Sequence, residues 1–419
     1  DAIKASGSNT KWTAHIWIDN NIIVGHDGTQ QTCGISTKIP SWDWTISRNQ
    51  ILEAGTGLYL GNSDGSGQFV YGIIEYNFVS NPVGYCMQIK HQNPRDGIYG
   101  IPAGNFNTVV RHNVFTKNDR ESPDGDRPNL LIGGQPFSGI GVDDRVEVYG
   151  NFFYGNPREY LMQATGNLSI HNNIFINCAQ GAVNLRQHNS RDVKELYVYC
   201  NTVYGTNNGI MLWNQAPSFP KISVCNAVFC AKQFNMLDTA GNIYGVENDA
   251  GAYFNEPDLA LDRMDFYPKN KSDNIIADLQ QFAKDSAWSL DFNGNSQIGS
   301  YYGAYSGFGS NPGWKLALEV KKIENHTLVR DEDITVETPA VNVYPNPVES
   351  VLCFDLSEFP PGEINIKIFD INGKCLIKNK FESFTDNIII VDIVSLLPGI
   401  YEYSITNEKN SCCGKFVKH

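Results

Sequence analysis

Val148-Tyr-Gly-Asn151-Phe-Phe153 and Ile170-His-Asn-Asn173-Ile-Phe175 repeat one short pattern: alternating apolar residues, then Asn, then further apolar residues. The same pattern centres on Asn21, Asn49, Asn77 and Asn113 towards the N-terminus and on Asn201 and Asn226 towards the C-terminus, with a weaker copy at Asn242. From Asn21 to Asn226 the asparagines are 28, 28, 36, 38, 22, 28 and 25 residues apart. A core of about 22–28 residues suits one coil of a right-handed parallel β-helix, with longer intervals absorbing loop insertions on one side. Asn at the same corner of every coil can stack its amide on the next and satisfy inward-turning backbone groups. This repeat predicts an all-β solenoid over residues 1–319, with the asparagines as architecture rather than ligands.

Composition agrees. Of 419 residues, 41% are hydrophobic, only 18% are charged, and Gly (38) is abundant, which favours strands and turns. The formal net charge of −13 argues against nucleic acid as a partner. It leaves room for an acidic glycan in a local basic cleft. No apolar run approaches the roughly 20 residues of a membrane span. The start at Asp1, without Met or a signal-peptide core, reads as processed or truncated. The ten cysteines form no zinc-type CxxC pair, and most are expected at strand positions. Cys200 and Cys225 precede neighbouring ladder asparagines, so they fall on adjacent coils, as a disulfide or as stacked thiols.

After Asn242 the rhythm fades. A short helix is predicted over Asn274–Lys284, and the segment from Ile298 to Trp314 reads as a cap closing the helix end. Charges cluster over 320–339, which reads as a linker. From Ala340 short alternating strands predict a small β-sandwich with an Asn372-Gly373 turn. Its Tyr344-Pro-Asn-Pro347 opening, Phe369-Asp-Ile-Asn-Gly-Lys374 centre, Leu397-Pro-Gly-Ile-Tyr401 turn and Lys415-Phe-Val-Lys418 ending resemble the type A sorting domain of type IX secretion substrates of Bacteroidota. The resemblance covers residues 340–419. It implies engagement with the type IX secretion machinery and a secreted or outer-membrane cell-surface location. The Cys412-Cys413 pair departs from that family's usual composition.

Each coil also offers a second aligned strand: Gly57–Gly61, Cys86–Lys90, Asn129–Gly133, Tyr160–Gln163, Ala182–Arg186 and Ile210–Trp213. With apolar residues inward, one outward column reads Tyr59, Gln88, Leu131, Leu161, Asn184 and Met211. The next reads Gly61, Lys90, Gly133, Gln163, Arg186 and Trp213. Lys90 and Arg186 are then three coils apart, roughly 14 Å. Gly133 between them is expected to leave room for a ligand, and Tyr59 and Trp213 to stack on sugars. His91 and His188 lie just beyond the strand ends, and Gln88–Gln92 gathers four polar groups.

At the level of architecture this resembles the β-helical polysaccharide lyases and hydrolases. For a lyase the resemblance implies a basic residue that removes the proton beside a uronate carboxylate, and a cation that neutralises that carboxylate. Lys90 or His91 fits the base and Arg186 the neutraliser, with Tyr59, Gln88, Gln163, Asn184, His188 and Trp213 contacting substrate. Arg111 and Arg191 are weaker candidates. The outward columns hold no facing carboxylates, which disfavours a glycosidase. The oxygen-rich Asp119–Asp126 loop is a candidate for Ca2+, without the full EF-hand pattern. No metal site is assigned. A non-catalytic glycan-binding or adhesive protein, or a structural surface fibre, accounts for the same features without chemistry.

Overall fold

The computed structural model describes all residues except 8–10, 99, 214, 215, 217, 259, 323–340, 358–362, 371–374, 382–387 and 407–410. Its contacts divide into two compact units, Asp1–His326 and Thr327–His419. The expected linker lies almost wholly outside the described residues.

The first unit is a solenoid whose coils carry three strands each, all paired in parallel with the next coil. One coil shows the plan: Ile73–Glu75 on a first face, Phe78–Ser80 on a second and Met87–Ile89 on a third. Successive first strands run Thr13–Asp19, Ser41–Ser47, Ile73–Glu75, Asn107–Arg111, Arg145–Tyr149, Gly166–His171, Val193–Tyr199 and Lys221–Val224. The inward residues of all faces form one apolar core from Ile18 to Leu237. On the third face the pairs Leu58/Leu60, Met87/Ile89, Leu130/Ile132, Val183/Leu185 and Ile210/Leu212 all enter that core, as period-2 patterning requires.

The corner between first and second faces is the asparagine ladder. Asn113 shows the geometry: its Oδ1 accepts from Asn77 N (2.9 Å) and Nδ2 (2.9 Å), while its own Nδ2 donates to Ile74 O (2.8 Å) and to Asn151 Oδ1 (3.0 Å). The same bonds link every rung from Asn21 through Asn226. Asn242, a weak copy in sequence, is a full rung that accepts from Asn226 N (2.9 Å) and Nδ2 (2.8 Å). The residue before each rung has left-handed backbone: Arg48, Tyr76, His112, Gly150, Asn172, Cys200 and Cys225 all have positive φ. Cys200 and Cys225 thus sit at the corner and not in strands, and both are buried free thiols.

The segment after Asn242 does not plug the helix end. It wraps back along the outside, because the outward residues of the second face are themselves apolar. Phe78, Val114, Phe152, Ile174, Ala227 and Phe229 pack against Phe254, Phe266, Phe292, Tyr305 and Leu316 in a second core. Residues near 280 cover the first face instead, where Leu279 and Phe282 meet Tyr197 and Tyr199. The expected helix shrinks to a single 3-10 turn, Leu279–Phe282, capped by Asp278. The wrap ends at buried Lys321, whose ammonium donates to Gly150 O (2.9 Å) and Phe292 O (2.7 Å). The wrap therefore covers much of faces one and two, leaving Trp17, Ile22 and Val24 of the first coil exposed, and the third is left to the loops beside it.

Those loops are the insertions behind the long Asn intervals. They occur at both edges of the third face, where one side was expected: residues 117–129 on the side of the second face, and 90–106 and 133–144 on the side of the first. The 90–106 and 133–144 loops are tied by a buried bidentate ion pair in which Arg95 reaches Asp144 (Nη2–Oδ1 3.0 Å). The 117–129 loop is anchored by buried Lys117, which donates to Gly84 O and Arg127 O, and by Ser122 on Gln30.

The second unit is a β-sandwich. A three-stranded antiparallel sheet (Asn342–Tyr344, Val351–Asp355, Ile388–Asp392) faces a four-stranded one (Ile364–Phe369, Cys375–Phe381, Gly399–Thr406, Ser411–Lys418) across a core that includes Leu352, Phe354, Ile366, Ile389 and Phe416. Its opening and closing motifs meet, with Val417 N donating to Asn346 Oδ1 (2.9 Å). The Asn372-Gly373 turn and the Cys412 and Cys413 side chains lie outside the described residues.

Candidate functional site

The third face is a groove floored by the outward column of its strands and walled by the loops at its edges. Register places Ser36, Tyr59, Gln88, Leu131, Gln163, Asn184 and Met211 in one column. Gln163 therefore belongs with Gln88 and not with Lys90, and Leu161 is a corner residue buried in the core. A two-residue slip preserves the in–out alternation, so hydrophobic patterning is blind to it. The neighbouring outward column, two residues further along each strand, contains Lys38, Gly61, Lys90, Gly133, Thr165, Arg186 and Trp213. Lys38 was missed in the sequence, although Cys33-Gly-Ile-Ser-Thr-Lys38 repeats the strand one coil before Tyr59.

Gly133 does not open a pocket. A Cβ there would fall 2.1 Å from His91 N and 2.5 Å from the Lys90 carbonyl carbon, so backbone packing demands glycine.

Lys90, His91, Arg186 and His188 do converge. Burial chiefly holds His188 below the ordinary histidine value, with Lys90 and Arg186 adding repulsion. His91 is lowered in the same way, by burial, then Arg191, Lys90 and His188, against an opposing pull from Asp64. Lys90 is lowered by burial and by Arg127. Both imidazoles are therefore neutral at pH 7, and Lys90 loses its proton more readily than a surface lysine. Among the described residues Lys90, Arg186 and His188 have no ion-pair partner, an unusual state in a chain of net charge −13. Asn189 Nδ2 lies 3.0 Å from His91 Nδ1, fixing that ring.

The floor is polar and buried. Gln88 is 2% exposed and Asn184 4%, and the side-chain oxygens of both lack a hydrogen-bond partner. Gln163 donates to Glu159 Oε1 (3.0 Å), which brings one carboxylate to the groove edge that the columns had not revealed. Tyr59 is 5% exposed, and Lys38 Nζ stands 2.8 Å from its ring centroid, so a sugar would meet the ammonium before the ring. Trp213, 39% exposed, is free to stack at the far end, with Lys232 beside it.

Other candidates lie elsewhere. Arg111 is buried on the first face against Glu75 (2.7 Å) and the Tyr149 hydroxyl (2.8 Å). Arg191 braces the groove wall by donating to Gln92 O and Asn93 Oδ1. Gln92 turns away from the groove and donates to Phe69 O (2.9 Å). In the candidate calcium loop Asp119 and Asp126 both face Arg158, and no group of three acidic, His or Cys residues among the described residues could hold a metal ion. Two polar cavities, about 370 Å³ around Arg145, Glu195 and Lys284 and about 610 Å³ around Asp265 and Lys315, lie off the third face. In the first, the charges already pair with one another.

Two family models match the chain: a right handed beta helix region over residues 33–226, and a secretion system C-terminal sorting domain over residues 342–419. No curated protein sequence matches it. No helix is long and apolar enough to cross a membrane, among the described residues. The chain is thus a secreted or cell-surface protein that joins a right-handed parallel β-helix to a type IX secretion sorting domain.

Proposed function

We propose that the third-face groove binds an acidic, uronate-containing polysaccharide and cleaves it by β-elimination. The observation that carries this reading is the convergence of Lys90 and Arg186, which have no ion-pair partner among the described residues, with the neutral His91 and His188 on the one face the C-terminal wrap leaves uncovered. Uncompensated cations in a partly desolvated groove favour an anionic ligand, and an extended groove along the helix axis favours a polymer.

In this reading Lys90 or His91 takes the proton from the carbon beside the uronate carboxylate. The electron pair left behind forms the new double bond as the bond to the leaving glycosidic oxygen breaks, and that oxygen takes a proton from solvent. Arg186 stabilises the negative charge that builds on the carboxylate. Three coils separate Lys90 and Arg186, and side chains of this length each reach about 6 Å, so their tips can approach one sugar.

The test is a screen of the purified protein on acidic and neutral polysaccharides, with and without calcium, following unsaturated products and reducing ends. Unsaturated ends from an acidic polymer, lost at least 100-fold in Lys90→Ala and Arg186→Ala, support the reading. Binding without product would leave the groove as an adhesive glycan site. Reducing ends without unsaturation would mean hydrolysis and would overturn the lyase chemistry.

A further inference from the structure

We propose that Lys38 and Lys90 form a clamp for one anionic group, a carboxylate or a sulfate, of the polysaccharide, extending the groove two coils to the N-terminal side of Lys90, with His91 left as the base. The proposal rests on the glycan reading above and adds a site and a polarity to it.

The two lysines occupy one column, with only Gly61 between them, so their backbone origins are about 9.6 Å apart. Both ammoniums gather over the same ring: Lys38 Nζ is 2.8 Å and Lys90 Nζ 5.6 Å from the Tyr59 centroid. The same tyrosine ring attracts each cation, yet the two cations repel each other. Burial brings Lys38 down to about 8, opposed by Cys33 and reinforced more weakly by repulsion from Lys4 and Lys90. Among the described residues neither lysine has an ion-pair partner. Asp1 is taken up by Cys33 N (2.7 Å), Ser36 Oγ (3.0 Å) and Lys4 (3.7 Å). Asp64 is held by Ser66. Beneath the lysines lies Gln88, 2% exposed, paired in register with Tyr59, its Oε1 without a partner. Two like charges held together over a buried polar floor are stabilised by an anion that accepts from both.

The test is lysine footprinting of the full chain with limiting acetic anhydride, read by mass spectrometry, alone and with polygalacturonate, chondroitin sulfate or a neutral glucan. Joint protection of Lys38 and Lys90, at least threefold, by an acidic polymer and not by the glucan supports the clamp. Which acidic polymer protects separates carboxylate from sulfate. Lys38→Met should then weaken binding of that polymer roughly tenfold, with Lys38→Arg restoring most of it. Protection of Lys90 without Lys38 overturns the clamp and leaves the groove reading intact. Protection of neither, with the polymer bound, overturns both.

Discussion

Asn113 makes its contribution through five side-chain hydrogen bonds that no other side chain of its size can supply together. Asn113→Ala strands the amide of Asn77 and the carbonyl of Ile74 in a dry corner. The expected cost is roughly 2–5 kcal/mol, read as a lower urea midpoint with unchanged slope. The ladder was legible in the sequence because the same residue recurs at the same place. The corner position before it was not, since Arg48, Tyr76, His112 and Cys200 share a positive φ and no side-chain chemistry. That position is chosen by backbone geometry, which leaves no compositional trace. His171, stacked between Tyr149 and Tyr199, carries a different prediction. Full burial is the main force holding it down, to about 4, only partly offset by its bond to Asn172. In the unfolded chain it takes up a proton near pH 6.5, so its stabilising effect is complete above that value and is lost as pH falls towards 4. The loss is on the order of 3 kcal/mol. Stability measured against pH should show it, and His171→Phe should flatten the curve in that window; an unchanged curve would contradict the assignment.

At the scale of strands and loops, inward and outward faces were readable everywhere on the third face, yet register was not. Tyr160-Leu-Met-Gln163 fits two alignments with the same parity, and only the neighbouring strands select the one that places Gln163 in the Gln88 column, between Leu131 and Asn184. Lys38 was legible and overlooked: Gly34 introduces its strand in register with Gly57, one coil before Tyr59. The insertions were visible as long intervals, but which corner they left from depended on contacts such as Arg95 with Asp144, 49 residues away. Asp144→Asn leaves the Arg95 guanidinium buried with too little counter-charge. The expected loss is about 3–5 kcal/mol if the pair opens globally. Hydrogen exchange should locate the damage in residues 90–106 and 133–144, with the ladder strands unaffected. Faster exchange spread evenly over the whole solenoid would contradict a local strap.

For the whole molecule, the solenoid and the sorting domain were both evident in the sequence, one from its period and the other from four motifs in order. The wrap was not. Its residues have no repeat, and their role depends on an apolar outer surface of the second face that strand alternation alone does not reveal. The two units have separate cores, so a chain ending at His326 should keep the melting temperature and any glycan activity of the first unit. A drop of more than a few degrees would show that the sorting domain supports the solenoid. Export, by contrast, should be lost with residues 342–419. The wrap leaves the third face uncovered, and the most direct test of the proposed polysaccharide site is a crystal structure of the Lys90→Gln protein, chosen to slow the proposed cleavage, with a uronate oligosaccharide. Sugar density is expected along the third face over Gln88 and Asn184, with a carboxylate near Arg186. Density in the Arg145–Glu195 cavity, or on any other face, would contradict it.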